Sequence, residues 1–144
     1  MAALLAAVAP VCAAAEGLGV GGGVTDQIDD QHTPVVTVSW LTTARHPWEL
    51  SAGWLGKRDR LANGPVPATV FVAASKRLSW RGWFVSGGIA LVNQDNDVLS
   101  GHGQFYTGAG YAGQAWSVSL RHLSNADTGG GNRGETFVLL EYRF

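Results

Sequence analysis

The chain has 144 residues, enough for one domain, with a formal net charge of −1 and 15% charged residues, against about 25% in average soluble proteins. A near-neutral chain lacks the basic surface that phosphate backbones require, so nucleic acid is excluded as a partner. Twenty glycines and six tryptophans beside one methionine and one cysteine suit a sheet with one face in lipid.

Residues 1–15 are apolar throughout. This stretch is shorter than the roughly 20 residues that span a bilayer, and Pro10 interrupts it. It is expected to be a secretory leader that ends in Ala13-Ala14-Ala15 before Glu16. No Lys or Arg precedes it, so either the true start lies upstream or the leader is atypical. The alternative is an Ala-rich helix kept in the fold. Cys12 falls within the leader, which leaves residues 16–144 without thiol or disulfide chemistry.

Beyond Glu16 the pattern is alternation with period two, punctuated by Gly, Asn, Asp and Pro. Val36, Val38 and Trp40 form the first clear apolar parity. Trp48, Leu50, Ala52 and Trp54 follow, then Trp83, Val85, Ile89 and Leu91. Trp116, Val118 and Leu120 lead into His122, and the chain ends on Val138, Leu140, Tyr142 and Phe144. Weaker candidates near 17–25, 66–77 and 98–110 bring the total to about eight strands, the smallest membrane barrel. At about 9–11 residues per strand the length is just sufficient.

A soluble sandwich or lipocalin-like barrel would turn the apolar parity inward, whereas a membrane barrel turns it toward lipid. Three features favour the membrane barrel. Tryptophans gather near strand ends, at the depth of an interface. The opposite parity is mostly Gly, Ser, Thr and Gln with occasional charges, as in a wet or tightly filled interior. The terminal Tyr142-Arg143-Phe144 resembles the closing aromatic signal of outer-membrane barrels. The fold expected is therefore an all-β, antiparallel transmembrane barrel over residues 16–144. With both termini periplasmic, the turns near 44–47, 79–82 and 111–114 face the periplasm. The loops near 25–32, 57–65, 93–98 and 125–134 face outside, and Ser124 lies at the outer end of a strand spanning 115–124.

His122 and Ser124, two apart on a strand, share a face with Cα atoms about 6.5–7 Å apart. Imidazole and hydroxyl can meet across that distance, as a serine nucleophile and its general base must. A polar pair that continues the lipid-facing stripe suits ester cleavage in a lipid. Solvated interface residues are the bland alternative, and the spacing alone is a weak signal.

The segment His122-x-Ser124-Asn125-Ala126, then Asn132-x-Gly134, then a strand ending in an aromatic, resembles the lipid A 3-O-deacylase (PagL-type) family. The specific match covers the last quarter of the chain. The resemblance implies an eight-stranded barrel with a Ser-His-Glu hydrolytic site on its outer wall and an Asn that helps to stabilise the oxyanion. Carried over, Ser124 is the nucleophile, His122 the base, Asn132 the oxyanion residue and Asn125 a support for the loop. The acid departs from the family pattern, because its position by spacing is Thr136 while the glutamate here is Glu135. Glu135 has the parity of Glu141, so it serves as the acid only if a bulge at Gly134 turns it outward.

His32, His46 and His102 have no partners at metal-ligand spacing, so no metal is expected. Asp95 and Asp97 fit a solvated loop. Lys57, Arg58 and Arg60 form a basic cluster in an outward loop, solvated by default but suited to lipid A phosphates. Lys76, Arg77 and Arg81 are expected to snorkel to headgroups at the opposite rim. The resemblance implies a cofactor-free serine esterase of the bacterial outer membrane acting on the 3-O acyl chain of lipid A, the glycolipid anchor of lipopolysaccharide. A structural or adhesive barrel and a phospholipase or acyltransferase are the alternatives. Oligomeric state is left open.

Overall fold

The computed structural model describes residues 16–128 and 133–144. The leader expected at 1–15 lies outside these residues, as does Asn132. Eight strands follow in chain order: β1 (Gly17–Thr25), β2 (Pro34–Leu41), β3 (Trp48–Leu55), β4 (Thr69–Trp80), β5 (Trp83–Val92), β6 (Gly103–Ala112), β7 (Trp116–Ser124) and β8 (Glu135–Arg143). Each pairs antiparallel with its neighbour, and β8 closes the barrel onto β1. Closure leaves no free sheet edge, the condition for strands to cross a hydrocarbon layer.

The apolar parity faces outward on every strand where the sequence showed it. Val36, Val38 and Trp40, Trp48, Leu50 and Trp54, and Val138, Leu140 and Tyr142 are all exposed. An exposed girdle of this extent is the surface that a barrel presents to lipid. Strand bounds move slightly from expectation. β4 starts at Thr69 rather than 66, and β6 starts at Gly103 rather than 98, because Val66, Val98 and Leu99 instead bury themselves beneath the loops.

One end of the barrel carries short connections. The β4–β5 hairpin turns through Arg81 (φ 50°) and Gly82 (φ 85°), two left-handed residues as a type I′ turn requires. The other end carries the longer loops 26–33, 56–68, 93–102 and 125–134.

The interior has two layers, and only one matches the polar filling expected. Toward the short turns, Glu49 is bonded to Arg77 and lies 2.9 Å from Arg121, while Glu141 lies 3.4 Å from Arg77 and 3.7 Å from Arg143. Ser39 donates to Glu141 at 2.7 Å, and Arg121 donates to Ser86 and Ser119 at 3.0 Å. Arg77 therefore does not snorkel to the rim. It points inward with its guanidinium 4.2 Å from the Phe84 ring centroid, since odd residues of β4 face the lumen. Lys76 and Arg81 do stay outside, against Trp48 and Trp80 at 5.2 and 5.0 Å. Toward the long loops the filling is apolar: Phe71 packs on Tyr106 and Phe137. Ile28, Leu61, Val66, Val98 and Leu99 descend from the loops to join this layer. Side chains of three loops, 26–33, 56–68 and 93–102, thus plug this end of the barrel.

Candidate active site

β7 delivers His122 and Ser124 to the outer wall at the long-loop end. The inward set on this strand, Ser117, Ser119, Arg121 and Leu123, is buried, whereas His122 and Ser124 are partly exposed and continue the stripe of Trp116, Val118 and Leu120. In register, His122 stands between Thr107 of β6 and Thr136 of β8, and Ser124 stands opposite Phe105.

The two imidazole nitrogens have separate surroundings. Nδ1 lies 2.9 Å from Thr136 Oγ1. The Cε1–Nε2 side of the ring lies over Gly134, where a Cβ would come within 2.6 Å of Cε1 and 3.0 Å of Nε2. Gly134 also has φ +72°, a left-handed conformation that costs other residues energy. Space and backbone therefore both demand glycine there. The sequence suggested a different use for Gly134, as the seat of a bulge.

No such bulge forms. β8 pairs regularly from its first residue, Leu123 with Glu135 and His122 with Thr136. Glu135 consequently points into the barrel, on the other side of the wall from His122. There Arg58 bonds both of its carboxylate oxygens, Oε2 through Nη1 and Oε1 through Nη2 at 2.8 Å. Arg58 also donates to Thr25 Oγ1 at 2.7 Å and to the Asp26 carbonyl at 3.3 Å. The assignment of Glu135 as the histidine's acid is corrected by this geometry, and so is the reading of Arg58 as part of a solvated basic cluster. A buried carboxylate and a buried guanidinium each need a counter-charge, and they find one another. Lys57 remains outside, paired with Asp59 at 3.1 Å.

The turn after Ser124 is braced. Ser124 Oγ accepts the Ala126 N–H at 3.1 Å. Asn125 is buried beneath it, donating through Nδ2 to the Ser100 carbonyl and accepting the Asp127 N–H, both at 2.9 Å. Its carbonyl accepts from the Thr128 hydroxyl at 2.7 Å. These bonds hold Ala126 and Asp127 at φ 53° and 59°, conformations that persist only when their surroundings enforce them.

At the loop surface, Asp29 accepts the Ala62 N–H at 2.9 Å and lies 3.4 Å from Arg133. The Ala62 amide, and then Arg133, hold its carboxyl below the ordinary aspartate range. Three loops are joined through this one side chain. The other histidines serve the backbone: His46 Nδ1 accepts the Ser79 N–H at 3.1 Å, and His32 and His102 bond to the carbonyls of Thr25 and Val92 at 2.9 Å. Among the described residues no cluster of three or more His, Cys, Asp or Glu could hold a metal ion.

Thr136 entered the sequence reading only as the position left empty by the missing acid, and Arg58 only as a surface charge. Their roles depend on strand register and loop path. Compared with known proteins, residues 19–144 match the family described as lipid A 3-O-deacylase (PagL). No curated protein and no solved structure matches the chain.

Proposed function

Because the chain belongs to the lipid A 3-O-deacylase family, matched over nearly its whole length, we propose that it hydrolyses the 3-O acyl ester of lipid A with Ser124 as nucleophile and His122 as base. The observation behind this is the partly exposed His122 and Ser124 at the end of an otherwise apolar, lipid-facing stripe. An ester at the glycolipid interface meets that stripe at the depth where its own carbonyl lies. The proposed location is the bacterial outer membrane, with the long loops outward and lipid A of the outer leaflet as substrate.

Ser124 Oγ attacks the ester carbonyl as its proton passes to His122 Nε2. The tetrahedral intermediate collapses with cleavage of the bond to the sugar oxygen, which takes that proton from Nε2. Water, deprotonated by the same nitrogen, then releases the fatty acid and restores the serine hydroxyl. Asn132 and backbone amides are the groups assigned to the oxyanion. Such preorganised donors contribute most where water is excluded. Asn125 braces the turn that follows Ser124. No step calls for a cofactor.

One rival has an observation in its favour. A non-enzymatic barrel would account for a histidine whose Nδ1 faces a hydroxyl rather than a carboxylate. Mass spectrometry of lipid A from cells producing the wild type or Ser124→Ala separates the readings. The proposal expects loss of one 3-O acyl chain with wild type and none with the variant. Unaltered lipid A in both supports the structural barrel, and Ser124-dependent release from phospholipid instead supports a different lipid hydrolase.

A further inference from the structure

We infer that Thr136 is the positioning residue of this site, accepting a hydrogen bond from His122 Nδ1–H and holding the imidazole with a neutral hydroxyl where a carboxylate would be expected. The inference rests on the hydrolase reading above. His122 and Thr136 are direct register partners across β7 and β8, and both face outward. Their Nδ1 and Oγ1 atoms lie 2.9 Å apart. With Nδ1 carrying the proton, Nε2 keeps its lone pair, as a general base requires.

Thr136 is itself held from three sides. Its carbonyl accepts the Asp26 N–H at 2.7 Å. Its neighbour Glu135 is clamped by Arg58, and its β-branched side chain has few rotamers on a strand. The hydroxyl is therefore presented at a fixed point, and the orienting part of an acid's role is retained.

The electrostatic part is not. Register brings Thr107 and Thr136 beside His122 from the two adjacent strands, and neither is charged. Arg121 faces the lumen, Arg133 is engaged with Asp29, and Asp127 lies in the loop beyond Ser124. Among the described residues no carboxylate is a register partner of His122, so an imidazolium formed during attack lacks a carboxylate beside it on the adjacent strands. A carboxylate at this wall would in turn have to be desolvated against lipid, a cost that a hydroxyl avoids. The site thus keeps the orienting bond without an adjacent charge.

The test combines kinetics on purified, refolded protein with 3-O-acylated lipid A and ¹⁵N NMR of the His122 ring. Thr136→Ser should preserve turnover and pH profile. Thr136→Val should lower kcat at least about tenfold at unchanged KM and change the ring from the Nδ1–H tautomer to a mixture. Thr136→Glu should raise kcat, since an adjacent anion stabilises the imidazolium that forms during attack. Wild-type kcat and profile in Thr136→Val, or an Nε2–H tautomer in the wild type, overturns the inference. A wild-type Nδ1–H tautomer in a protein that releases no fatty acid leaves the positioning bond standing and rejects the hydrolase reading instead.

Discussion

Arg58 and Glu135 meet inside the barrel, the guanidinium of a loop residue bonded to both oxygens of a carboxylate on β8. The pair ties loop 56–68 to the strand that bears Thr136, and it removes the nearest glutamate from the outer wall. Its contribution is to architecture, so its loss should register in stability rather than in turnover.

Glu135→Gln leaves a buried guanidinium without its counter-charge, a change that costs about 3–5 kcal/mol. The variant should unfold at markedly lower urea concentration than wild type, while turnover per folded molecule stays within about threefold. Replacing both partners with apolar residues, Arg58→Met with Glu135→Leu, should recover much of the stability, as expected when a buried pair is removed whole. A large loss of turnover in a fully folded Glu135→Gln protein would restore Glu135 to the catalytic set.

Two glycines allow strain to be separated from the site. Gly134 and Gly64 both have positive φ, +72° and +110°, but only at Gly134 would a Cβ meet the His122 ring; at Gly64 nothing lies within 4 Å. Gly134→Ala should therefore lose both about 1–2 kcal/mol of backbone stability and most activity, because the imidazole must shift. Gly64→Ala should show only the backbone cost. Kinetics and urea titration of the two variants, side by side, check this. Equal activities would mean that the ring accommodates a methyl group.

Asp29 makes the loop surface pH-sensitive. Its carboxyl is held below the ordinary aspartate value of 3.8, first by the Ala62 amide and then by Arg133. A depressed folded value means that the stabilisation is fully present above 3.8 and is lost only as pH falls through the lower folded value. Asp29→Asn should therefore speed amide exchange around residues 60–64 at neutral pH, and the difference from wild type should vanish in strong acid. An exchange difference that persists unchanged to the lowest pH would assign the effect to packing.

Orientation is open to direct labelling. A cysteine at Lys57 or Asp127, both on long loops, should react with an impermeant maleimide on intact cells, and one at Ala44, in a short turn, should not. The reverse pattern would put Ser124 in the wrong leaflet for lipid A.

The sequence by itself determined the lipid-facing stripe of each clear strand and the shared face of His122 and Ser124. Alternation is a local property: successive side chains of a pleated strand point to opposite sides whatever the strand pairs with. By spacing it put the expected acid position on Thr136, although it kept Glu135 as the acid through a bulge that does not form. Partners were a matter for the tertiary structure. Which side chain reaches Nδ1 depends on the register of β8 against β7, set by closure of the whole barrel. Arg58 and Arg77 look like surface cations in the sequence because their partners, Glu135, Glu49 and Glu141, lie 28 to 77 residues away along the chain. Only closure brings those charges together, and burial then compels them to pair.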